Sequence, residues 1–335
     1  MEKLKVLELF GGIGACSKAI ERLGIDYEIV DYVEIDKYAV KSFNAIHNTN
    51  FEPQDICEWN KDIEVDLIMH GSPCQDFSSI GLGLGGDKDS GTRSSLMYET
   101  IRIVEKLKPK YVIWENVKNL LSKKHRHNFD RYITKMRMLG YWSYYQVLNA
   151  KDYGIPQNRE RVFVVSIRDD VICYGCQLYN YQFPPKQELK LRLKDMLEDE
   201  VDEKYFLSEE ITNKLESKNL LTINKRLHTM LHKININTVQ SIDMYNQLTY
   251  DDIMFTVTTR VNASSCTAVT QYNRIRKFTP LEIWRLMGFD DEDYNKAAEV
   301  NSNAQLYKQA GNSIVVNVLE AILKNLLLNT EQEEE

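Results

Sequence analysis

The chain has 335 residues, of which 43% are hydrophobic and 27% charged, and its formal net charge at pH 7 is −7. This length allows one large and one small domain, and the composition is ordinary for a soluble globular protein. No apolar run is long enough to span a membrane, and the first residues lead into a predicted strand without a signal peptide, so we expect a cytoplasmic protein with no membrane partner. The six cysteines are too few for a disulfide scaffold. The CxxC pair Cys173 and Cys176 has no second pair of ligands, so we predict no metal site.

Basic and acidic residues are segregated along the chain. Basic residues dominate residues 218–277 and 123–137, whereas acidic residues gather at 195–203, 290–293 and in the tail 331–335. A negative net charge argues only mildly against a nucleic-acid partner when basic residues are gathered in this way. Solvated surfaces explain the same pattern, so charge alone leaves the partner open.

The first 170 residues alternate between short apolar runs and helical patterns. We predict strands at residues 5–10, 29–33, 65–70, 111–114, 143–148 and 161–167. We predict helices at residues 15–23, 38–47, 96–107 and 129–139. This alternation predicts an α/β fold with a mostly parallel sheet covered by helices on both faces. Such sheets bind ligands beyond the carboxyl ends of their strands.

The pattern changes after about residue 170. Residues 186–275 are polar, irregular and rich in Asn and Thr, with strand-like pieces at 253–259 and 267–271. Helical patterns return at 280–287 and 313–328, and Gly311-Asn312-Ser313 is expected to open the last helix, with Asn312 or Ser313 as its cap. We therefore predict a discontinuous large domain (1–172 and 308–330), a small irregular domain with the hinge (173–307) and an acidic tail (331–335).

The first strand leads through a glycine turn, Phe10-Gly11-Gly12-Ile13-Gly14, into a helix. Glycines there let the backbone approach a ligand closely. Ser17 stands where a dinucleotide fingerprint needs its third glycine, so a nicotinamide site is the weaker interpretation. Glu34, about twenty residues on, is suited to bind ribose hydroxyls, and Asp55-Ile56 to bind an adenine. These positions favour a nucleoside-bearing ligand without a pyrophosphate.

A cysteine follows the third predicted strand, in Gly71-Ser72-Pro73-Cys74-Gln75. An isolated free cysteine is usually a small core residue, but the proline, the turn and the position at a strand end favour a presented thiol. The glycine-rich residues 79–91 follow it, as a lid would. Glu115 ends the next strand, and Arg159 and Arg161 lead into the last one. Each of these charged residues alone has a plain alternative as a surface ion pair.

Taken in order, these segments resemble the DNA cytosine-5 methyltransferase family over nearly the whole chain. The matching segments are Phe10–Gly14, Glu34-Ile35-Asp36, Asp55-Ile56, Gly71–Gln75, Glu115-Asn116-Val117, Gln157–Arg161, Phe278–Glu282, Arg285–Phe289 and Gly311-Asn312-Ser313. Chance recurrence of so many short motifs in one order is negligible.

The resemblance implies a Rossmann-like S-adenosylmethionine-dependent methyltransferase fold with a smaller target-recognition domain. It implies methyl transfer from S-adenosylmethionine to carbon 5 of a flipped-out cytosine in a specific sequence of double-stranded DNA, with S-adenosylhomocysteine as product. Cys74 would be the nucleophile, and Glu115 would be the acid that contacts the cytosine. Arg159 and Arg161 would orient the cytosine and Glu115. The cofactor residues would be Phe10, Gly12, Gly14, Glu34, Ile35, Asp55, Ile56, Pro73, Asn312 and Ser313. The DNA contacts would include Gln75, Ser78, Arg226 and Arg260. We expect a monomer, with a separately acting restriction endonuclease as a possible partner.

The sequence departs from the family pattern in one place. The segment between residue 170 and Thr256 is short, and it contains Leu248-Thr249 where the family has a Thr-Leu dipeptide. The recognised DNA sequence therefore stays open. The alternatives are a methyltransferase acting on transfer RNA, a catalytically silent DNA-binding member of the fold and, more distantly, a dinucleotide-dependent reductase. The RNA branch usually carries Pro-Pro-Cys-Gln where this chain has Ser72-Pro73-Cys74-Gln75, which favours DNA.

Overall fold

The computed structural model describes residues 2–73, 96–172, 181–207, 234–243, 246, 248–259 and 267–328. The chain divides into two compact units. The first comprises residues 1–148, 160–186 and 316–335, and the second comprises residues 149–159 and 187–315. The chain thus leaves the first unit twice and returns to it twice. The functional assignment of the predicted domains, as catalytic and target-recognition parts, stays a prediction.

The first unit is built on a six-stranded sheet with the order β2-β1-β3-β4-β7-β5. Its strands are Leu4–Leu9 (β1), Tyr27–Val33 (β2), Leu67–His70 (β3), Tyr111–Val117 (β4), Tyr141–Asn149 (β5) and Glu160–Arg168 (β7). β1 to β4 pair in parallel, whereas β7 runs antiparallel to β4. The predicted α/β class, with a mostly parallel sheet, is confirmed, and so is each of the six predicted strands.

Helices cover this sheet. They are Ala15–Arg22 (α1), Lys37–His47 (α2), Met97–Leu107 (α3), Arg126–Met138 (α4) and, at the carboxyl end of the chain, Val316–Leu327 (α8). The Asp36 carboxylate caps α2 by accepting a 3.0 Å hydrogen bond from the Tyr38 amide, which satisfies one of the free N–H groups of the first turn. The core consists mainly of β-branched, aromatic and leucine side chains between the sheet and the helices, among them Val112, Trp114 and Phe129.

The described part of the second unit holds a four-stranded antiparallel sheet and three helices. The sheet has the order β12-β11-β8-β9, and β10 pairs separately with β6. The strands are Gln157–Asn158 (β6), Gln240–Asp243 (β8), Leu248–Asp251 (β9), Met254–Phe255 (β10), Thr267–Gln271 (β11) and Arg274–Arg276 (β12). The helices are Pro280–Arg285 (α5), Asp291–Val300 (α6) and Asn303–Asn312 (α7). The predicted strand 253–259 is wrong beyond Phe255.

The prediction that Gly311-Asn312-Ser313 opens the last helix is wrong. Gly311 and Asn312 form the end of α7, Ser313 is the carboxyl-terminal cap of that helix, and α8 begins at Val316. The sequence signal misled because Gly and Asn are common at the carboxyl-terminal end of a helix as well as before one, and here they end α7. No helix among the described residues is long and apolar enough to cross a membrane.

Candidate active site

Several predicted functional residues of the first unit lie at one edge of its sheet. The glycine turn follows β1, Glu34 follows β2, and Gly71–Pro73 follow β3. Glu115 lies near the end of β4. Because these four strands are parallel, their carboxyl ends share an edge. β7 is antiparallel, so its amino-terminal end, with Arg161, comes to that same edge.

The glycine turn has an unusual backbone. Phe10, Gly12 and Gly14 all have positive φ angles, of 54°, 56° and 81°, a region that favours glycine. A Cβ on Gly14 would collide with the His47 imidazole, whereas a Cβ on Gly12 would meet nothing within 4 Å. Gly12 therefore borders open space, as a backbone that approaches a ligand must.

Glu34 is held in place by the backbone on either side of it. Its Oε2 accepts a 3.2 Å hydrogen bond from the Gly12 amide, and its Oε1 accepts a 2.9 Å bond from the Asp36 amide. Burial raises the pKa of this carboxyl, and the two amides act against that shift. A carboxylate oxygen has two lone pairs, so each one can accept a further bond. The fixed pair of acceptors suits vicinal hydroxyl groups.

The other predicted cofactor residues of this unit lie in different surroundings. Ile35 follows Glu34 and is 67% exposed, so its apolar surface is open to a ring. Asp55 is half-buried, and its Oδ1 accepts a 2.9 Å bond from the Cys57 amide. Ile56 is buried in the core cluster, at 4% exposure. Pro73, the last residue described before a gap, is half-buried.

Glu115 and Arg161 form the central ion pair of the edge. Arg161 Nε lies 3.0 Å from Glu115 Oε1, and the two side chains are only 17% and 12% exposed. Arg161 lies opposite Val117 in the antiparallel pairing, so Glu115, two residues back, is its diagonal neighbour on the same face. A guanidinium in this position fixes the orientation of the carboxyl group.

The turn after β3 is tied to β4. The Trp114 indole N–H donates to the Ser72 hydroxyl at 3.0 Å, and the Asn116 amide donates to the Ser72 carbonyl at 3.2 Å. Both donors flank Glu115 in sequence. Sequence reasoning missed these contacts because tryptophan and serine carry no motif signal of their own.

Five predicted site residues lie outside the described residues: Cys74, Gln75, Ser78, Arg226 and Arg260. Cys74 follows Pro73 directly in the chain. Among the described residues, no cluster of three or more His, Cys, Asp or Glu side chains could hold a metal ion.

Arg159 belongs to the second unit and is 4% exposed. Its guanidinium donates to the carbonyl groups of Val257 at 2.6 Å, Ser313 at 2.7 Å and Gly311 at 3.3 Å. These three hydrogen bonds join Arg159, directly before β7, to Val257 and to the end of α7, next to Asn312. Gly311 is required there, because a Cβ would collide with the backbone of the segment that follows Val257.

A buried carboxyl group that sequence reasoning missed lies behind the glycine turn. Glu8 is 2% exposed, and its Oε1 accepts hydrogen bonds from the Ser17 amide, at 2.9 Å, and from the Ser17 hydroxyl. Burial raises its pKa to about 7, although the bonds from Ser17 act in the opposite direction. The only sequence signal was an acidic residue within a buried strand.

Comparison with known proteins agrees with this arrangement. The family model for C-5 cytosine-specific DNA methylases matches residues 4–328. The chain is 32% identical to the type II methyltransferase M2.ScrFI of Lactococcus lactis subsp. cremoris, over 96% of this chain and 99% of that protein. It is 31% identical to the orphan methyltransferase M.SPRI of Bacillus phage SPR, over 99% of this chain and 100% of that protein.

A solved structure shows the same fold. The Entamoeba histolytica methyltransferase EhMeth superposes with a TM-score of 0.71 at 17% identity, over 97% of this chain and 98% of that one. Identity this low supports the fold alone. The family match over nearly the whole length carries the activity: the chain belongs to the C-5 cytosine-specific DNA methylase family and is a DNA cytosine-5 methyltransferase.

Proposed function

We propose that this enzyme methylates carbon 5 of a cytosine flipped out of duplex DNA, with Cys74 as nucleophile and Glu115 as the acid that holds the base. The observation that carries the proposal is the largely buried Arg161–Glu115 pair, in which Glu115 lies on the strand that also binds the turn leading to Cys74. The turn that precedes the nucleophile in sequence and the strand that carries the acid are thereby joined.

The chemistry uses each of these groups at a defined atom. The Cys74 thiolate attacks carbon 6 of the cytosine, while the Glu115 carboxyl donates a hydrogen bond to the ring nitrogen and stabilises the negative charge that develops on the ring. The electron pair displaced to carbon 5 makes that atom nucleophilic. After carbon 5 is methylated, its proton is lost to solvent, and the electron pair of the broken carbon–hydrogen bond restores the ring double bond and expels the thiolate. Arg161 keeps the Glu115 carboxyl aligned throughout.

The family implies S-adenosylmethionine as the methyl donor, which when bound supplies a methyl group activated by a sulfonium. The described residues fit such a nucleoside. Glu34 presents two fixed acceptors, Gly12 borders open space, and Ile35 exposes an apolar side chain beside them. We assign Glu34 to the ribose hydroxyls, Ile35 to a face of the adenine, and Asp55 to its amino group.

The second unit is the proposed DNA-reading part. Its predicted contacts Arg226 and Arg260 lie in its basic stretch, and base edges in the major groove are read by such side chains. The relatives of this chain include a type II methyltransferase and an orphan methyltransferase. The proposal therefore concerns the methyltransferase and does not include an accompanying restriction endonuclease. Bisulfite sequencing of DNA from a host that expresses the protein will give the recognised site as the common sequence around every protected cytosine.

Substrate and nucleophile are tested together. We expect methyl label from the cofactor to enter duplex DNA, and we expect duplex DNA containing 5-fluorocytosine to form a stable covalent adduct, because fluorine blocks the final loss from carbon 5. Cys74→Ala should abolish the adduct. Label that enters transfer RNA but not DNA would overturn the proposed substrate, and an adduct that persists in Cys74→Ala would overturn the nucleophile.

A further inference from the structure

Ser72 accepts hydrogen bonds from the two residues that flank Glu115 in sequence. Its hydroxyl accepts the Trp114 indole N–H at 3.0 Å, and its carbonyl accepts the Asn116 amide at 3.2 Å. Ser72 is 4% exposed and Trp114 is 1% exposed. A buried indole N–H needs an acceptor, and the Ser72 hydroxyl supplies it.

The Trp114 ring is itself held rigidly. It stacks on His70, its direct neighbour on β3, with ring centroids 5.7 Å apart and planes inclined by 5°. The Tyr132 ring of helix α4 also packs against Trp114, with ring centroids 4.1 Å apart. His70 and Tyr132 share a 3.0 Å hydrogen bond in the same buried cluster. The indole donor therefore has a fixed direction before any substrate binds.

We propose that Trp114 and Ser72 are positioning residues that set the distance between the Cys74 thiolate and the Glu115 carboxyl. The inference rests on the proposed function. Trp114 precedes Glu115 on the strand, and Ser72 is separated from Cys74 only by Pro73, whose ring fixes its backbone φ angle. Their hydrogen bond thus ties the nucleophile's turn to the strand that carries the acid. A misplacement of about 1 Å at a reacting atom can cost on the order of a hundredfold in rate.

A double-mutant cycle of Ser72→Ala and Trp114→Phe tests this. We expect each single variant to lower the single-turnover rate of methyl transfer, and the rate of adduct formation on 5-fluorocytosine DNA, by about tenfold. The double variant should be no slower than the slower single variant, because the second change removes a partner that is already unpaired. Cofactor affinity, measured by calorimetry, should stay within about twofold, because neither side chain belongs to the glycine turn.

Tyr141→Phe is the matched control. It removes another buried hydrogen bond of the same sheet, from the Tyr141 hydroxyl to the Pro109 carbonyl at 2.6 Å, at the end of the sheet where β4 begins. The inference would be overturned if the rate losses of the two single variants add up in the double variant. It would also be overturned if Tyr141→Phe, with the same fall in melting temperature, lost as much rate as these variants. Wild-type rates in Ser72→Ala would overturn it as well. Failure of the proposed function is distinct, since the wild-type enzyme would then form no adduct.

A second inference comes from a basic surface on the first unit. Residues 118–146 contain seven Lys or Arg and one Asp, in a chain whose net charge is −7. Six of these basic side chains are exposed: Lys118, Lys123, Lys124, Arg131, Lys135 and Arg137. They lie on and just before α4, whose thirteen residues extend over about 20 Å.

Aromatic side chains of the sheet's edge strand, β5, lie beside this helix. The Arg137 guanidinium lies 3.8 Å from the ring centre of the exposed Trp142, and Arg126 donates a 3.2 Å bond to the hydroxyl of the exposed Tyr145. We infer that this surface binds the phosphate backbone of the substrate duplex outside the target site. Duplex DNA carries a charge every ~1.7 Å of its axis, and each phosphate neutralised by a basic side chain releases bound cations.

The salt dependence of DNA binding tests the surface. The triple variant Lys123→Gln, Lys124→Gln and Lys135→Gln should lower the slope of log Kd against log salt concentration by about two to three, since each phosphate contact contributes ~0.9. The control variant Lys3→Gln, Lys41→Gln and Lys106→Gln makes the same charge change elsewhere and should keep the wild-type slope. An unchanged slope in the first variant, or an equal change in both, would overturn the inference. A larger effect on transfer RNA than on duplex DNA would also overturn it.

Discussion

At the scale of single residues, three carboxyl groups of the first unit have different surroundings. Glu115 is paired with a guanidinium, Glu34 is bound by two backbone amides, and Glu8 is buried against Ser17. Each lies within a strand or directly after one, and different hydrogen-bonding partners give them different chemistry.

Replacing Arg161 should slow methyl transfer while leaving binding of both substrates nearly intact. Arg161→Ala removes the group that fixes Glu115, and we expect the single-turnover rate to fall by about two orders of magnitude, within the range of acid–base contributions. Arg161→Lys should recover part of that loss, because it restores the charge without the planar fork. Lys296→Gln breaks an exposed pair with Glu292 and should change the rate little. A rate in Arg161→Ala equal to that of Lys296→Gln would contradict the assigned role.

Replacing Glu34 should separate cofactor binding from DNA binding. Glu34→Ala removes both ribose acceptors, and since bonds to charged groups are worth about 1.5–3 kcal/mol, we expect cofactor affinity to fall at least about tenfold. DNA affinity, measured without cofactor, should stay near the wild-type value. Calorimetry with each ligand decides the point, and an equal loss of both affinities would show that the ribose assignment is wrong.

Glu8 should make folding stability depend on pH. Its folded pKa of about 7 lies above its unfolded value, so the folded state holds a proton that the unfolded state loses, and stability falls as pH rises from about 4.5 to 7. Glu8→Gln removes this titration. Relative to the wild type, the variant should therefore gain up to roughly 3 kcal/mol of unfolding free energy between pH 5 and pH 8. Urea denaturation at both pH values measures it, and a difference that does not change with pH would contradict the burial argument.

At the scale of elements, one buried ion pair organises the start of α5. Arg276 and Glu282 are both fully buried and lie 2.8 Å apart at Nη1 and Oε2. The same Glu282 oxygen accepts the Thr279 amide at 2.9 Å, which completes a capping box. The sequence segment Phe278–Glu282, recognised only as a family motif, thus has a structural explanation.

Removing one partner of that pair should be costly. Arg276→Ala leaves the Glu282 charge buried without its partner, and we expect a loss of about 3–5 kcal/mol in unfolding free energy. Arg276→Met combined with Glu282→Leu removes both charges and should lose less than the single variant. Chemical denaturation of both variants checks this order, and a double variant less stable than Arg276→Ala would show that the pair itself is strongly stabilising.

At the scale of the whole molecule, the chain's last helix closes its first unit. Helix α8 packs on α1, and Arg22 of α1 bonds Asn317 at 3.4 Å. Its buried side chains are Val316, Val318, Leu319, Ile322, Leu323 and Leu326. At about 1.5–3 kcal/mol for each buried side chain, this face stabilises the unit by on the order of 10 kcal/mol, comparable with the total stability of a domain.

Truncation after Ser313 should therefore unfold the first unit, although it removes none of the proposed catalytic residues. We expect loss of the cooperative melting transition in circular dichroism and loss of cofactor binding. Truncation after residue 330 removes only the predicted acidic tail and should leave both unchanged. A shortened chain that still melts cooperatively and binds cofactor would show that α8 is dispensable.

The sequence by itself determined the α/β class, six strands and four helices of the first unit and the order of its motifs. Those features depend on local periodicity and on glycine and proline, which act within a few residues. It also placed Glu34 and Glu115 at one edge, because parallel strands end together. It missed α7 and misplaced the start of α8, because a Gly-Asn-Ser segment can end a helix as well as open one.

Only the tertiary structure decided which partners these residues have. Arg161 joins Glu115 across an antiparallel strand pair, Ser72 joins Trp114 across neighbouring strands, and Arg276 joins Glu282 inside the second unit. The two residues of each pair are brought together by sheet register and burial, and neither residue type specifies the other. The reason is physical: periodicity fixes which face a side chain is on, whereas the energy of a hydrogen bond or an ion pair depends on what the fold puts opposite it and how much water it excludes.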